Sequence, residues 1–288
     1  MPEVANIEGP LGIIAGRGPL PCVVADAASA RGLPLHIVGI RGEARNEIER
    51  FPHTWVKWGE IGKMFRALDQ NGCGDLVIIG GVNRPDFSSI KLDLGAIKTL
   101  PFILSLGKGG DDHVLSRVVR FFEEKGYRVH GAGDVAPELL AGGGVLSDKS
   151  PSADDEADIE MAFQVVSALG RLDVGQSAVV AKGHVLAVEA AEGTDAMLSR
   201  CAELRTLGKA PRAPSGVIAK APKPGQEQRV DLPTIGPETV GKAAEAGLAG
   251  IAVAAGQVLM ADRAATIAAA NRYGLFLVGK VWSEVAGA

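Results

Sequence analysis

The segment from Lys220 to Thr239 concentrates the side chains best suited to chemistry: Lys220, Lys223, Gln226, Arg229, Asp231 and Thr234, set among Gly225, Pro233 and Gly236. Cations of this kind bind phosphate oxygens and neutralise charge that develops during transfer of a phosphoryl group. Asp231 follows Arg229 by two residues, so an extended segment turns both side chains to one side, where the acid could hold magnesium or orient a water. The same composition also suits a charged surface loop.

Other groups invite a similar double reading. Glu189, Glu192 and Asp195 gather around Gly193 and Thr194, where a hairpin gives way to a helix. They suit a metal or ribose site, or a helix start capped by Thr194 with its acids in water. Asp111 and Asp112 precede a helical pattern from His113; they can cap it or offer a hard cation two carboxylates. Gly16, Arg17, Gly18, Pro19, Leu20 and Pro21 form a turn whose backbone N–H groups could face a phosphate. Gly80, Gly81, Arg84, Pro85 and Asp86 form another, a second ligand edge or a plain loop. The first turn departs from a dinucleotide fingerprint: Pro21 stands in place of the third glycine, and Arg41 where a ribose-binding acid belongs.

The elements that must position these residues follow from apolar pattern and punctuation. Apolar runs at Leu11–Ala15, Leu35–Ile40 and Asp75–Ile79 alternate with helical segments at Cys22–Ala30, Ile61–Asp69 and His113–Lys125, and Tyr127–His130 resumes a strand. This alternation predicts a Rossmann-like parallel sheet with helices on both faces, in a domain spanning residues 1–140. Ala141–Asp155, rich in Gly, Ser, Pro and Asp, reads as a connecting segment before a helix at Ala157–Leu169. Ser177–Ala181 and Val185–Ala190 read as a hairpin. Further helices are expected at Thr194–Glu203, Thr239–Ala246 and Asp262–Tyr273, and strands at Gly250–Ala254 and Leu275–Val278. Residues 141–288 are therefore expected to form a mixed α/β domain.

Composition removes several function classes. A chain of 288 residues with 47% apolar and 22% charged residues can bury two cores, and a net charge of −4 without a basic stripe disfavours nucleic acid. Cys22, Cys73 and Cys201 lack zinc or disulfide spacing and read as core thiols in a reducing cytoplasm. No secretory signal pattern opens the chain, and its longest uncharged run, Ala246–Ala261, falls short of the roughly 20 residues that span a bilayer. The five histidines show no paired ligand spacing and no nucleophile motif, and the three tryptophans are too scattered to stack bases.

With these residues in place, the chain resembles the UDP-2,3-diacylglucosamine pyrophosphatase family of the magnesium-dependent LpxI type, which is unrelated to calcineurin-like phosphoesterases. The resemblance covers nearly the whole chain. It rests on Leu11–Pro21 (LGIIAGRGPLP), Gly80–Lys98 (GGVNRPDFSSIKLDLGAIK), Gly110–Val114 (GDDHV), Ala187–Met197 (AVEAAEGTDAM) and Lys223–Thr239 (KPGQEQRVDLPTIGPET). It implies hydrolysis of a UDP-sugar lipid to UMP and 2,3-diacylglucosamine 1-phosphate in lipid A synthesis of Gram-negative bacteria, with substrate held between two domains.

On that resemblance Asp231, Arg229 and Lys220 form the catalytic set, and Asp231 is also the metal residue for Mg2+. The substrate contacts would be Gly16, Gly18, Leu20, Gly80, Gly81, Arg84, Asp112, Glu192, Gly193, Thr194, Asp195, Lys223, Gln226 and Thr234. Glu227 stands where many relatives are expected to carry Asp. It keeps the carboxylate with altered reach and is left outside the catalytic set. Two acyl chains would need an apolar groove, with peripheral contact to the inner membrane from the cytoplasm, and a homodimer is the default assembly. The rival readings are a nucleotide-sugar binding or sensing module without turnover, and a nicotinamide oxidoreductase.

Overall fold

A computed structural model describes residue 7, residues 9–82 and residues 111–282, with residues 111–113 as helix backbone. The described residues form two compact units. One contains those up to Pro137 together with Glu227–Asp231; the other contains Glu138–Gln226 and those from Leu232 onward.

In the first unit the chain runs β1 (Leu11–Ala15), α1 (Leu20–Ala30), β2 (Leu35–Ile40), β3 (His53–Val56), α2 (Ile61–Gln70), β4 (Asp75–Ile79), α3 (Asp111–Glu124), β5 (Arg128–His130) and α4 (Ala132–Val135). The strands lie in the order β3-β2-β1-β4-β5, and each neighbouring pair is parallel. Strand order therefore reverses between β1 and β4, the place where open α/β sheets bind ligands beyond their carboxyl ends. The pattern of apolar residues explains the burial. Ile14 and Val38 face an aromatic cluster of Phe65, Phe121, Phe122 and Tyr127, while Ile13 and Ile37, one residue earlier, point to the opposite face. Val230 packs against this same cluster, which ties Glu227–Asp231 to the first unit although it lies far along the chain.

The second unit contains β6 (Gly144–Val145), α5 (Ala153–Gly170), β7 (Ser177–Ala181), β8 (His184–Val188), α6 (Gly193–Thr206), β9 (Val217–Lys220), β10 (Thr234–Ile235), α7 (Pro237–Glu245), β11 (Gly250–Ala254), β12 (Leu259–Met260), α8 (Arg263–Tyr273) and β13 (Phe276–Lys280). Six strands form a mixed sheet in the order β6-β13-β11-β9-β7-β8, and β10 pairs with β12 separately. Strands β9, β11 and β13 are parallel at its centre. Strands β7 and β8 continue the sheet antiparallel on one side and β6 on the other. Mean strand burial is nearly complete along β7, β9 and β11, as expected for strands covered on both faces.

Two expectations need correction here. The predicted connecting segment contributes an edge strand, because Gly144–Val145 pairs with β13. Helix α5 also starts earlier than its apolar pattern suggested. Ser152 accepts from the Asp155 N–H, and the Asp155 carboxylate accepts from the Ser152 N–H at 2.9 Å, a capping box that sets the start at Ala153.

Candidate functional site

In the first unit the two glycine turns meet. Gly16 and Arg17 follow β1 directly, Gly80 and Gly81 follow β4, and the turns are joined by backbone: the Arg17 N–H donates to Gly81 O at 2.6 Å and the Gly81 N–H to Arg17 O at 3.1 Å. A Cβ on Gly16 would lie 2.6 Å from the carbonyl oxygens of both Gly80 and Gly81. A Cβ on Gly80, whose φ is +100°, would lie 2.7 Å from Arg17 O. These glycines are thus required by the mutual approach of two backbones, whatever else they contact. Gly18 has φ +92° and open space around it, and Leu20 begins α1 half-buried. Arg84 lies outside the described residues. Asp112 lies in the first turn of α3, where the backbone alone is described.

Arg229 and Asp231 also belong to this unit, but the segment is not extended. The N–H groups of Val230 and Asp231 both donate to Glu227 O, at 3.2 and 3.1 Å, which closes a single helical turn. Two residues along a turn no longer share a side, so the expectation drawn from strand spacing fails. Arg229 is gripped by carboxylates. Its Nε and Nη2 donate to the two oxygens of Glu227 at 2.8 and 2.7 Å, and its Nη1 donates to Glu123 at 2.6 Å. This fork holds the Glu227 carboxyl below its ordinary range and raises Arg229 above its own. Glu227, set aside on the sequence, is therefore the residue that orients Arg229. Asp231 itself is half-buried.

In the second unit the acids and cations meet at one end of the sheet. Lys220 closes β9 and is buried at 7% exposure; its ammonium donates to Thr194 Oγ1 at 2.7 Å. Thr194 is the second residue of α6, a helix of 14 residues, so the cation lies at a helix N-terminus where free N–H groups already favour anions. Thr194 donates in turn to Glu189 at 3.0 Å, and Ser177 at the start of β7 donates to the other Glu189 oxygen.

The remaining residues of the set serve varied local roles. Glu192 occupies the cap position of α6 without a capping bond and pairs with Arg200 at 2.9 Å, while Asp195 is exposed in the first turn. Lys223 and Gln226 are both buried; the Lys223 ammonium pairs with Asp173, and Gln226 Oε1 accepts from the Lys223 N–H at 2.7 Å. Thr234 opens β10 and donates to Leu232 O at 3.2 Å. Sequence reasoning grouped Lys220 with the polar loop that follows it; the fold groups it with Thr194 and Glu189. Asp173, Ser177 and Glu123 went unnoticed, since nothing local to them signals a partner so distant in the chain.

Among the described residues no three His, Cys, Asp or Glu side chains gather as a metal site, and no helix is long and apolar enough to cross a membrane. The cysteines are free, with Cys73 and Cys201 buried and Cys22 half-buried; burial pushes the Cys73 thiol up to about 11.

One unit with a parallel sheet whose strand order reverses between paired glycine turns, and another with a mixed sheet that ends in a buried lysine at a helix start, define a two-unit α/β protein with a Rossmann-like first sheet. Residues 10–139 match the LpxI N-terminal domain and residues 142–278 the LpxI C-terminal domain. The chain belongs to the LpxI family. It is 47% identical over 271 residues to the UDP-2,3-diacylglucosamine pyrophosphatase LpxI of Caulobacter vibrioides, an alignment covering 93% of this chain and 96% of that relative.

Proposed function

We propose that this chain hydrolyses the pyrophosphate bond of UDP-2,3-diacylglucosamine, releasing UMP and 2,3-diacylglucosamine 1-phosphate for lipid A synthesis. Full-length similarity to a relative of that name supports the substrate. The observation that carries the chemistry is the buried Lys220 ammonium at the N-terminus of α6, a fixed positive site of the kind that binds a phosphate oxygen.

The reaction needs little covalent help from protein. A water oxygen bonds to one phosphorus, the bridging P–O bond breaks, the departing phosphate keeps its electron pair, and the water gives up a proton. Lys220 would neutralise charge on the phosphoryl oxygens as that bond breaks. Arg229, held in a planar grip by Glu227, would serve as an oriented cation, and Asp231 as the carboxylate that takes the water proton or holds magnesium. Magnesium is commonly bound by one or two carboxylates together with substrate phosphates, and a half-buried Asp231 fits that shared mode. When bound, the ion would supply charge neutralisation on the pyrophosphate. The glycine turns between β1 and β4 would offer backbone to the nucleotide. The acyl chains of the substrate place its source at a membrane, and peripheral contact from the cytoplasm belongs to the same proposal.

Asp231→Ala is the direct test. With magnesium and substrate present, UMP release is expected to fall by about a thousandfold or more while the thermal unfolding midpoint stays near that of the parent. Wild-type turnover by this variant removes Asp231 from the reaction, and a parent protein that binds substrate yet releases no UMP removes the hydrolase reading.

A further inference from the structure

The hydrogen bonds that link Ser177, Glu189, Thr194 and Lys220 have a direction set by counting protons. Glu189 is a carboxylate and can only accept, so the hydroxyls of Thr194 and Ser177 both donate to it. A threonine hydroxyl has one proton. Once that proton points at Glu189, Thr194 meets Lys220 only as an acceptor, and the 2.7 Å contact is the ammonium donating to an oxygen lone pair. Glu189 is itself pinned by backbone. Its N–H donates to Ser177 O at 2.9 Å, and its carbonyl packs so closely on Gly175 that a Cβ there would sit 2.1 Å away. Ser177 in turn stands directly opposite Lys220 in the pairing of β7 with β9. Three chain segments thus converge to fix one hydroxyl.

We propose that Glu189 is a positioning residue for the reaction: by taking the Thr194 proton it presents the Thr194 oxygen to Lys220 and so sets the direction in which the other N–H bonds of the ammonium point. The role in turnover rests on the hydrolase reading above, whereas the role in holding Lys220 does not. Thr194 acts here as an oriented acceptor rather than as a donor to substrate. Glutamine at position 189 would disturb the arrangement whichever way its amide turns, because one hydroxyl then meets an NH2 donor and the other is held by a neutral oxygen instead of a carboxylate.

The test uses the full chain and two readouts. The first is the proton–nitrogen correlation of the Lys220 ammonium in 15N-labelled protein without substrate, identified by its loss in Lys220→Arg. A signal is expected in the parent and in Thr194→Ser, and its broadening or disappearance in Glu189→Gln and Thr194→Val. The second is UMP release from UDP-2,3-diacylglucosamine with magnesium. Glu189→Gln and Thr194→Val should each lower kcat by about 10- to 100-fold with KM changed little, Thr194→Ser should stay within about threefold, and the double variant should match Thr194→Val alone. Multiplying effects in the double variant would assign Glu189 a merely structural role and overturn the proposal. So would an ammonium signal that is absent from the parent or that persists in Glu189→Gln. If the parent releases no UMP the hydrolase reading falls, and the ammonium signal still decides whether Glu189 sets Lys220.

Discussion

The two units present chemically different ends to their sheets. In the first, the carboxyl edge at the strand reversal is made of backbone: Gly16 and Gly80 stand so close that neither turn has room for a side chain pointing at the other. In the second, the edge is made of side chains, with Lys220, Thr194, Glu189 and Ser177 joined in one network. A backbone surface can offer N–H groups to a ligand in fixed positions, but it supplies no mobile proton and no full charge. A side-chain surface supplies both, at the cost of having to be oriented. The contrast predicts that substitutions at the two edges fail in different ways: one through folding and the other through chemistry.

Of the two edges, the second should show the larger effect on turnover. Lys220→Met keeps the aliphatic stem that lies buried at the end of β9 and removes the charge. Its kcat/KM for UMP release is expected to fall by about 100- to 1000-fold, with unfolding free energy within about 2 kcal/mol of the parent. Gly16→Ala should show the reverse balance. Its Cβ meets two carbonyl oxygens at 2.6 Å, backbone that cannot swing aside, so a loss of about 2–4 kcal/mol in stability is expected from denaturant titration. Parental stability with lost activity in Gly16→Ala would show that this turn is limited by its ligand rather than by its neighbour. The distinction between the two edges would then collapse.

The contrast also explains what could be read from the sequence. Strands β1, β2, β4, β7 and β11 were placed residue for residue, because each is a short, mostly apolar run with a glycine or a charge within two residues of its end. The parallel sheet of the first unit and the mixed sheet of the second followed from the alternation of elements, and both stand. Strand β9 escaped notice. It is four residues long, ends in a lysine and is followed by Ala221 and Pro222, so it read as the start of a polar loop. Its identity depends on β7 and β11, which flank it in space and lie far away in sequence. Strand β3 was missed for a similar reason, since His53 and Thr54 look like loop residues until β2 pairs with them. The side chains of the candidate site were legible as types and not as partners. Lys220 and Thr194 each stood out, but a hydrogen bond between a strand end and a helix start has no local signature. The bend at Glu227–Asp231 was hidden as well, because it is imposed by Val230 packing on an aromatic cluster from α2 and α3.

The smallest of the expected effects refines the comparison within the first unit. There, side-chain charge collects at the opposite end of β4 from Gly80. Asp75 opens that strand with 1% exposure and accepts two bonds from Arg128 at 2.8 Å and one from His130 at 2.7 Å. The Arg128 bonds do most to hold its carboxyl below the ordinary value, opposing the burial that would raise it. A depressed folded pKa means that the proton binds more readily to the unfolded chain. The stabilisation is therefore complete above the unfolded value of about 4 and is lost as pH falls through the folded one. Asp75→Asn should cost about 1–3 kcal/mol at neutral pH and flatten the acid limb of the stability curve below about pH 5. Denaturant titrations from pH 7 down to pH 3 measure both. An acid limb as steep in Asp75→Asn as in the parent would move that pH dependence to other carboxylates, with Glu227, held down by Arg229, the next to test. A flattened limb with turnover by folded protein unchanged at neutral pH would establish that the charged end of this sheet serves stability alone and leave ligand chemistry to the end that bears the glycines.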